Sequence, residues 1–210
     1  LIVLGLIFFA LYEQTYGSWV LFSDRVMNHG ALGVEWTASE LTSLGAFFIL
    51  ILAPFFAWLY PRLDARGINP STPAKSAYGL ILAGVAFLVL VWSARHPDAN
   101  GLTNIWWFVF AYFVLEVGEM LLSPIGLSAV TELSVPSVVS LMMGGWFLGT
   151  SYSEVVAAEL GKLSSIEIPE GETLNIVEAL SKYDALFVYS AKIGIVCGIV
   201  VLVLTPLIAA

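Results

Sequence analysis

Charge is what this chain has least of: only 11% of its 210 residues are Asp, Glu, Lys or Arg, against about a quarter in soluble globular proteins. With 59% hydrophobic residues and a mean hydropathy of +0.91, that scarcity excludes a soluble domain and leaves an integral membrane protein. Cysteine occurs once, and Cys197 lies in the apolar run Ile193 to Leu204. No disulfide can form within the chain, so Cys197 reads as a small packing residue. There are two histidines, His29 and His96, both in polar loops and both read as solvated, and no H-E-x-x-H. No nucleophile is paired with a base, and Gly67-Ile68-Asn69-Pro70 is a turn, not a phosphate loop. The chain is therefore expected not to be an enzyme and to hold no metal or other cofactor; with a net charge of −8 it is expected to take no nucleic-acid partner. Barrel-length strand alternation is absent, which argues against a membrane β-barrel. An initiator Met and a charged n-region are also missing. Opening at Leu1 inside an apolar run, the chain reads as a fragment of a longer polytopic protein.

What is present is a series of apolar runs near the roughly 20 residues a spanning helix needs. They are Leu1 to Phe22, Trp36 to Tyr60, Ser76 to Ala94, Ile105 to Ala129, Val139 to Gly161 and Asp184 to Ala209. Turn chemistry separates them, as at Asn28-His29-Gly30, His96-Pro97-Asp98 and Val135-Pro136-Ser137. The fold class expected is an all-α bundle of six transmembrane helices. Arg62, Arg66 and Lys75 crowd the connection after the second run, whereas Lys162 to Asp184 carries Glu167, Glu170, Glu172, Glu178 and Asp184 against two lysines. The positive-inside rule puts the first of these connections in the cytoplasm. Both the Leu1 end and the C-terminus are then cytoplasmic, Asp24 and Arg25 lie outside, and Thr173 to Lys182 is predicted as a short surface helix outside.

Glu119 sits inside the fourth run, where a charge costs at least about 2.5–3.5 kcal/mol on insertion scales. It must neutralise, find a partner or face a wet cavity. Counted at 1.5 Å per residue from the cytoplasmic ends, Glu13, Glu119 and Thr150 lie at about 18, 15 and 16 Å, one level on three helices. Trp146 and Phe147 share helix faces with Thr150. Glu116 is three residues from Glu119 on a neighbouring part of one face, and two carboxylates that close cannot both ionise cheaply. That is the condition for carrying a proton at neutral pH. Gly145 and Gly149, and likewise Gly194 and Gly198, are small-residue pairs at helix-packing spacing. Lys192 and Glu154, about 12 and 10 Å below the outer ends of consecutive helices, are expected to form a buried structural ion pair, with Glu116 as the alternative partner.

The stretch Gly118-Glu119-Met120-Leu121-Leu122-Ser123-Pro124-Ile125-Gly126-Leu127-Ser128 resembles the tenth helix of the proton-dependent oligopeptide transporters of bacterial type, within the major facilitator superfamily. Phe8 to Gln14 with Gly17-Ser18-Trp19 and Phe22-Ser23-Asp24-Arg25 is similar to that family's seventh helix, Met142 to Leu148 to its eleventh and Tyr183 to Pro206 to its twelfth. The resemblance implies the C-terminal half of the fold, with an N-terminal bundle as partner. It implies a symporter, embedded in the lipid bilayer of the plasma (inner) membrane, that takes up small peptides with protons as the coupling ion. Glu119 would meet the peptide amino terminus, or a lysine of the other half. Glu13, Tyr12 and Phe9 would line the pocket from one helix, and Trp146, Phe147 and Thr150 from another. Proton coupling would fall to Glu119, with Glu116 and Glu13 as further carboxylates, and Asp24 would join an extracellular gate. Where the family often has Asn-Pro after Ser-Leu, this chain has Ser43-Leu44-Gly45-Ala46, so an amide that would bond the peptide backbone is missing. Glu116 is likewise outside the pattern. A facilitator-type carrier for nitrate, sugars or drugs is the alternative reading, and a structural membrane subunit a further one.

Overall fold

The computed structural model describes residues 2–166 and 174–208; Glu167, Glu170, Glu172, Thr173 and the chain ends lie outside the described residues. The first run does not form the single helix predicted for Leu1 to Phe22. Two short helices, α1 (Ile2–Tyr12) and α2 (Ser18–Val26), flank a 3-10 turn at Glu13–Thr15. Three polar residues end α1, and Gly17 leaves helical geometry with φ −115° and ψ −97°. Irregular backbone at membrane depth must find internal partners, and here it does. Gln14 Nε2 donates to the Ala157 carbonyl at 2.8 Å, Ser18 Oγ donates to Gln14 Oε1 at 2.7 Å, and the Tyr112 hydroxyl donates to the Thr15 carbonyl at 3.4 Å.

The remaining runs give α3 (Ala38–Leu41) continuing into α4 (Ser43–Ala65), then α5 (Thr72–Arg95), α6 (Ile105–Leu133), α7 (Val139–Gly161) and α8 (Ile176–Ile208). Thr37 and Glu40 start α3 with a reciprocal capping box. Asn175 starts α8 by accepting from Val177 N at 3.1 Å and Glu178 N at 3.3 Å. No breaker separates Ile176 from Asp184, so residues 176–182 are the first turns of α8 and not a separate surface helix. Four stretches, Ala38–Ala65, Thr72–Arg95, Ile105–Glu132 and Ile176–Leu207, are long and apolar enough to cross a membrane on length and hydropathy alone. The first run falls short because it is broken, and α7 because Gly, Ser and Thr dilute it. Among the described residues the chain is a helical membrane bundle in which α1 with α2, and α7, stand beside these four stretches.

α5 is the hub, packed most extensively on α8 and then on α6. The predicted Gly194 and Gly198 pair makes the first crossing close: a Cβ at Gly194 would lie 2.8 Å from Gly84 N, and one at Gly198 2.8 Å from the Ala77 carbonyl. α4 is peripheral, resting on α6 through Leu52, Phe56 and Met120 and turning Leu50, Ile51 and Trp58 outward. Pro124 interrupts α6, and its missing N–H frees the Met120 carbonyl four residues earlier. The Tyr60 hydroxyl of α4 fills that vacancy at 3.0 Å.

At the end assigned to the outside, β1 (Met27–Asn28) pairs in parallel with β4 (Thr103–Asn104), and β2 (Gly30–Ala31) pairs with β3 (Val34–Glu35) around Leu32 and Gly33, both at positive φ. Arg95 grips Asp184 by two bonds of 2.7 and 3.1 Å. His29 is half-buried and not free in solvent, with Nε2 2.9 Å from the Ser23 carbonyl. The expected Glu154–Lys192 pair does not form, with either Glu154 or Glu116 as the partner. Glu154 and Lys192 are both exposed, and the ion pairs among the described residues are Arg95–Asp184, Lys162–Glu159 and Lys182–Glu178. The expectation assumed that consecutive helices are neighbours, whereas α8 packs on α5.

Candidate functional site

Glu116 has 0% of its surface exposed, although it is a carboxylate in an apolar helix. The Tyr12 hydroxyl at the end of α1 donates to its Oε1 at 3.1 Å. Glu119, three residues further along α6 and half-buried, lies on a neighbouring part of the same helix face. Glu116 Oε2 and Glu119 Oε2 are both buried without a hydrogen-bond partner. The third wall is Gly45 of α4: a Cβ there would stand 2.9 Å from Glu116 Oε1 and 3.5 Å from the Tyr12 hydroxyl. The position where the resemblance implies an amide thus holds the tip of a carboxylate reaching across from α6.

From Tyr12 a row of aromatic side chains runs across α1 to α7. Phe9 and Trp146 meet edge to face with ring centres 6.5 Å apart, and Phe9 meets Tyr12 in the same manner at 6.3 Å. Trp146 is 4% exposed because two glycines make its slot: a Cβ at Gly126 would lie 2.4 Å from the indole and one at Gly5 3.0 Å. Phe147, one residue on and about 100° around the helix, is 57% exposed. The Thr150 hydroxyl turns back on its own helix, donating to the Phe147 carbonyl at 2.9 Å.

Glu119, Glu116 and Tyr12 therefore come together, and Phe9 links Tyr12 to Trp146. Glu13 does not join them; being next to Tyr12 it points elsewhere, into a cavity of about 350 Å³ between the first span and α7 that Glu154, Gln14 and Ser18 also line. Asp24 is exposed near the end of α2. Three participants escaped the sequence reading. Gly45 was visible only as a departure from a pattern, the slot of Gly5 and Gly126 had no signal beyond small residues, and Gln14 gained its role from the break in the first span. Among the described residues no group of three or more His, Cys, Asp or Glu is placed to hold a metal. Chemically, the arrangement offers paired carboxyls to a cation or a proton, and an aromatic wall to apolar groups.

The sequence pattern of the POT family matches residues 1–167. Dipeptide and tripeptide permease A of Erwinia pyrifoliae is 33% identical over 196 residues, 93% of this chain and 38% of its own length. Dipeptide and tripeptide permease B of Xenorhabdus bovienii is 30% identical over 205 residues, 98% of this chain and 41% of its own length. Among solved structures, a POT peptide transporter in complex with sulfate is 28% identical and superposes with a TM-score of 0.84, covering 98% of this chain and 38% of that one. A variant of a POT peptide transporter in complex with alafosfalin, also 28% identical, gives 0.83 over 98% of this chain and 39% of that one. The chain thus spans about two fifths of the length of the curated relatives it matches.

Proposed function

The chain belongs to the POT family, and on that footing we propose that it supplies the C-terminal bundle of a proton-coupled symporter taking up di- and tripeptides by alternating access. The observation that carries this reading is the acid pair of a buried Glu116 and a half-buried Glu119, with Tyr12 bonded to it and Phe9 and Trp146 continuing from Tyr12. A peptide's ammonium needs an anionic partner, and its varied side chains need an apolar surface that discriminates by contact. Glu119 is the amine partner, and Phe9, Tyr12, Trp146 and Phe147 are the walls, with Thr150 at their edge. Nothing in the cluster is basic, so the peptide carboxylate is met from the N-terminal bundle, across the interface where such carriers bind substrate.

Proton coupling runs through Glu119, with Glu116 of α6 and Glu13 of the first span as further carboxylates. Protonation drives transport only by favouring one orientation of the two bundles over the other. Ionised, Glu119 holds a cationic partner across the interface; protonated, or occupied by a peptide amine, it releases it. The Leu1 end and the C-terminus face the cytoplasm, a reading supported by Arg62, Arg66 and Lys75 at the facing ends of α4 and α5 and in the turn between them. The test is uptake into proteoliposomes under an inward proton gradient, comparing a labelled dipeptide with labelled nitrate, sugar and drug. Accumulation of the dipeptide alone is the expected result; accumulation of another solute in its place would replace this reading with the broader facilitator one.

A further inference from the structure

Glu116 and Glu119 each carry a buried oxygen that accepts no hydrogen bond, and among the described residues neither forms an ion pair. An isolated charge taken out of water is costly, and two adjacent like charges cost more. One proton between the two carboxyl groups removes the repulsion and gives both orphaned oxygens a role. Glu116 is fully buried and Glu119 only half-buried, so the cost of desolvating a charge favours the proton on Glu116. Tyr12 donates to Glu116 Oε1, and Oε2 is the oxygen left to carry that proton. The titratable groups that act on Glu116 are otherwise Tyr16 of the first span and Tyr112 of α6, while α4 presents only the bare Gly45.

We propose that Glu116 is a positioning residue for Glu119, holding a proton that it donates to the Glu119 carboxylate, and that Gly45 is required because the absence of its side chain leaves the notch in which the Glu116 carboxyl sits. The site then presents one oriented negative charge, and not two repelling ones, to a single ammonium group. This rests on Glu119 being the group that meets the substrate amine.

Three variants of the full-length transporter separate the possibilities. E116Q keeps an N–H donor toward Glu119 but no titrating proton; dipeptide binding should weaken by less than about threefold at neutral pH, and its pH profile should flatten. E116L offers no donor, and binding should weaken by about tenfold or more, the scale of one lost hydrogen bond to a charged group. In G45A the new Cβ would stand 2.9 Å from the flexible end of Glu116, so the protein should fold normally, lose the Tyr12–Glu116 contact and bind as weakly as E116L. Infrared difference spectra taken without substrate should show a protonated-carboxyl C=O stretch at neutral pH that disappears in E116Q. Absence of that band in the wild type, its persistence in E116Q, or equal losses of binding in E116Q and E116L would each overturn the proposal. A band lost in E116Q, with no dipeptide binding by the wild type, would uphold the proton bridge and instead reject the peptide reading.

Discussion

A carboxylate inside an apolar helix has few ways to be stable, and the described structure leaves Glu119 only a neighbour of its own sign. Glu119→Gln keeps the shape of the side chain and removes both the amine partner and a titrating group. Proton-driven dipeptide accumulation should be abolished; uptake at the wild-type rate under the same gradient would refute the assignment. Trp146 and Phe147, inseparable on the helical wheel, now divide. Trp146→Ala would empty the slot between Gly5 and Gly126 and should cost about 3–5 kcal/mol, the usual range for a deleted buried aromatic, while also reordering the affinities of dipeptides. Phe147→Ala should change thermal stability by no more than about 0.5 kcal/mol, as exposed positions do. Melting in detergent and competition binding with large and small side chains check both. Glu119 was legible because the bilayer makes an isolated charge conspicuous in any sequence. The Tyr12–Glu116 bond was not, because it joins residues 104 positions apart and depends on how two helices are rotated about their own axes.

Among the elements, the apolar runs marked where the long helices lie, since the bilayer sets a length that composition alone can meet. The ends were less legible. Asn175 begins α8 eight residues earlier than hydropathy indicates, because capping depends on local hydrogen bonds and not on apolarity. The break in the first span was hidden for a related reason: Glu13, Gln14 and Thr15 interrupt a helix only if something beyond it receives their bonds. Gln14→Leu removes the donor to the Ala157 carbonyl and the acceptor for Ser18. It should lower stability by about 1–3 kcal/mol, the cost of leaving buried polar groups unpaired, as read by thermal melting. Lys192→Met should leave the melting temperature essentially unchanged, since its side chain is exposed and forms no ion pair. A large drop would show that Lys192 has a buried partner in the intact protein.

On the scale of the whole molecule, this bundle must rock against its partner bundle if alternating access holds. Asp24, exposed near the end of α2, belongs to the closed outer gate in this reading, facing a basic residue of the other half. Asp24→Asn should therefore enlarge the outward-open population in distance distributions from paired spin labels across the outer face; an unchanged distribution would remove Asp24 from the gate.

The bond from Tyr60 to the Met120 carbonyl bears on how such rocking is transmitted. A rod with a proline in it has a soft joint, and here the stiffness of that joint is lent by a different rod. While Tyr60 holds the carbonyl, the turn of α6 that precedes Pro124 is tied to α4, which rests on it through Met120. The flexural rigidity of α6 is thus a property of the α4–α6 pair, and force applied at the lipid-facing surface of α4 is felt as a change of compliance about one and a half helical turns beyond Glu119 and about two beyond Glu116.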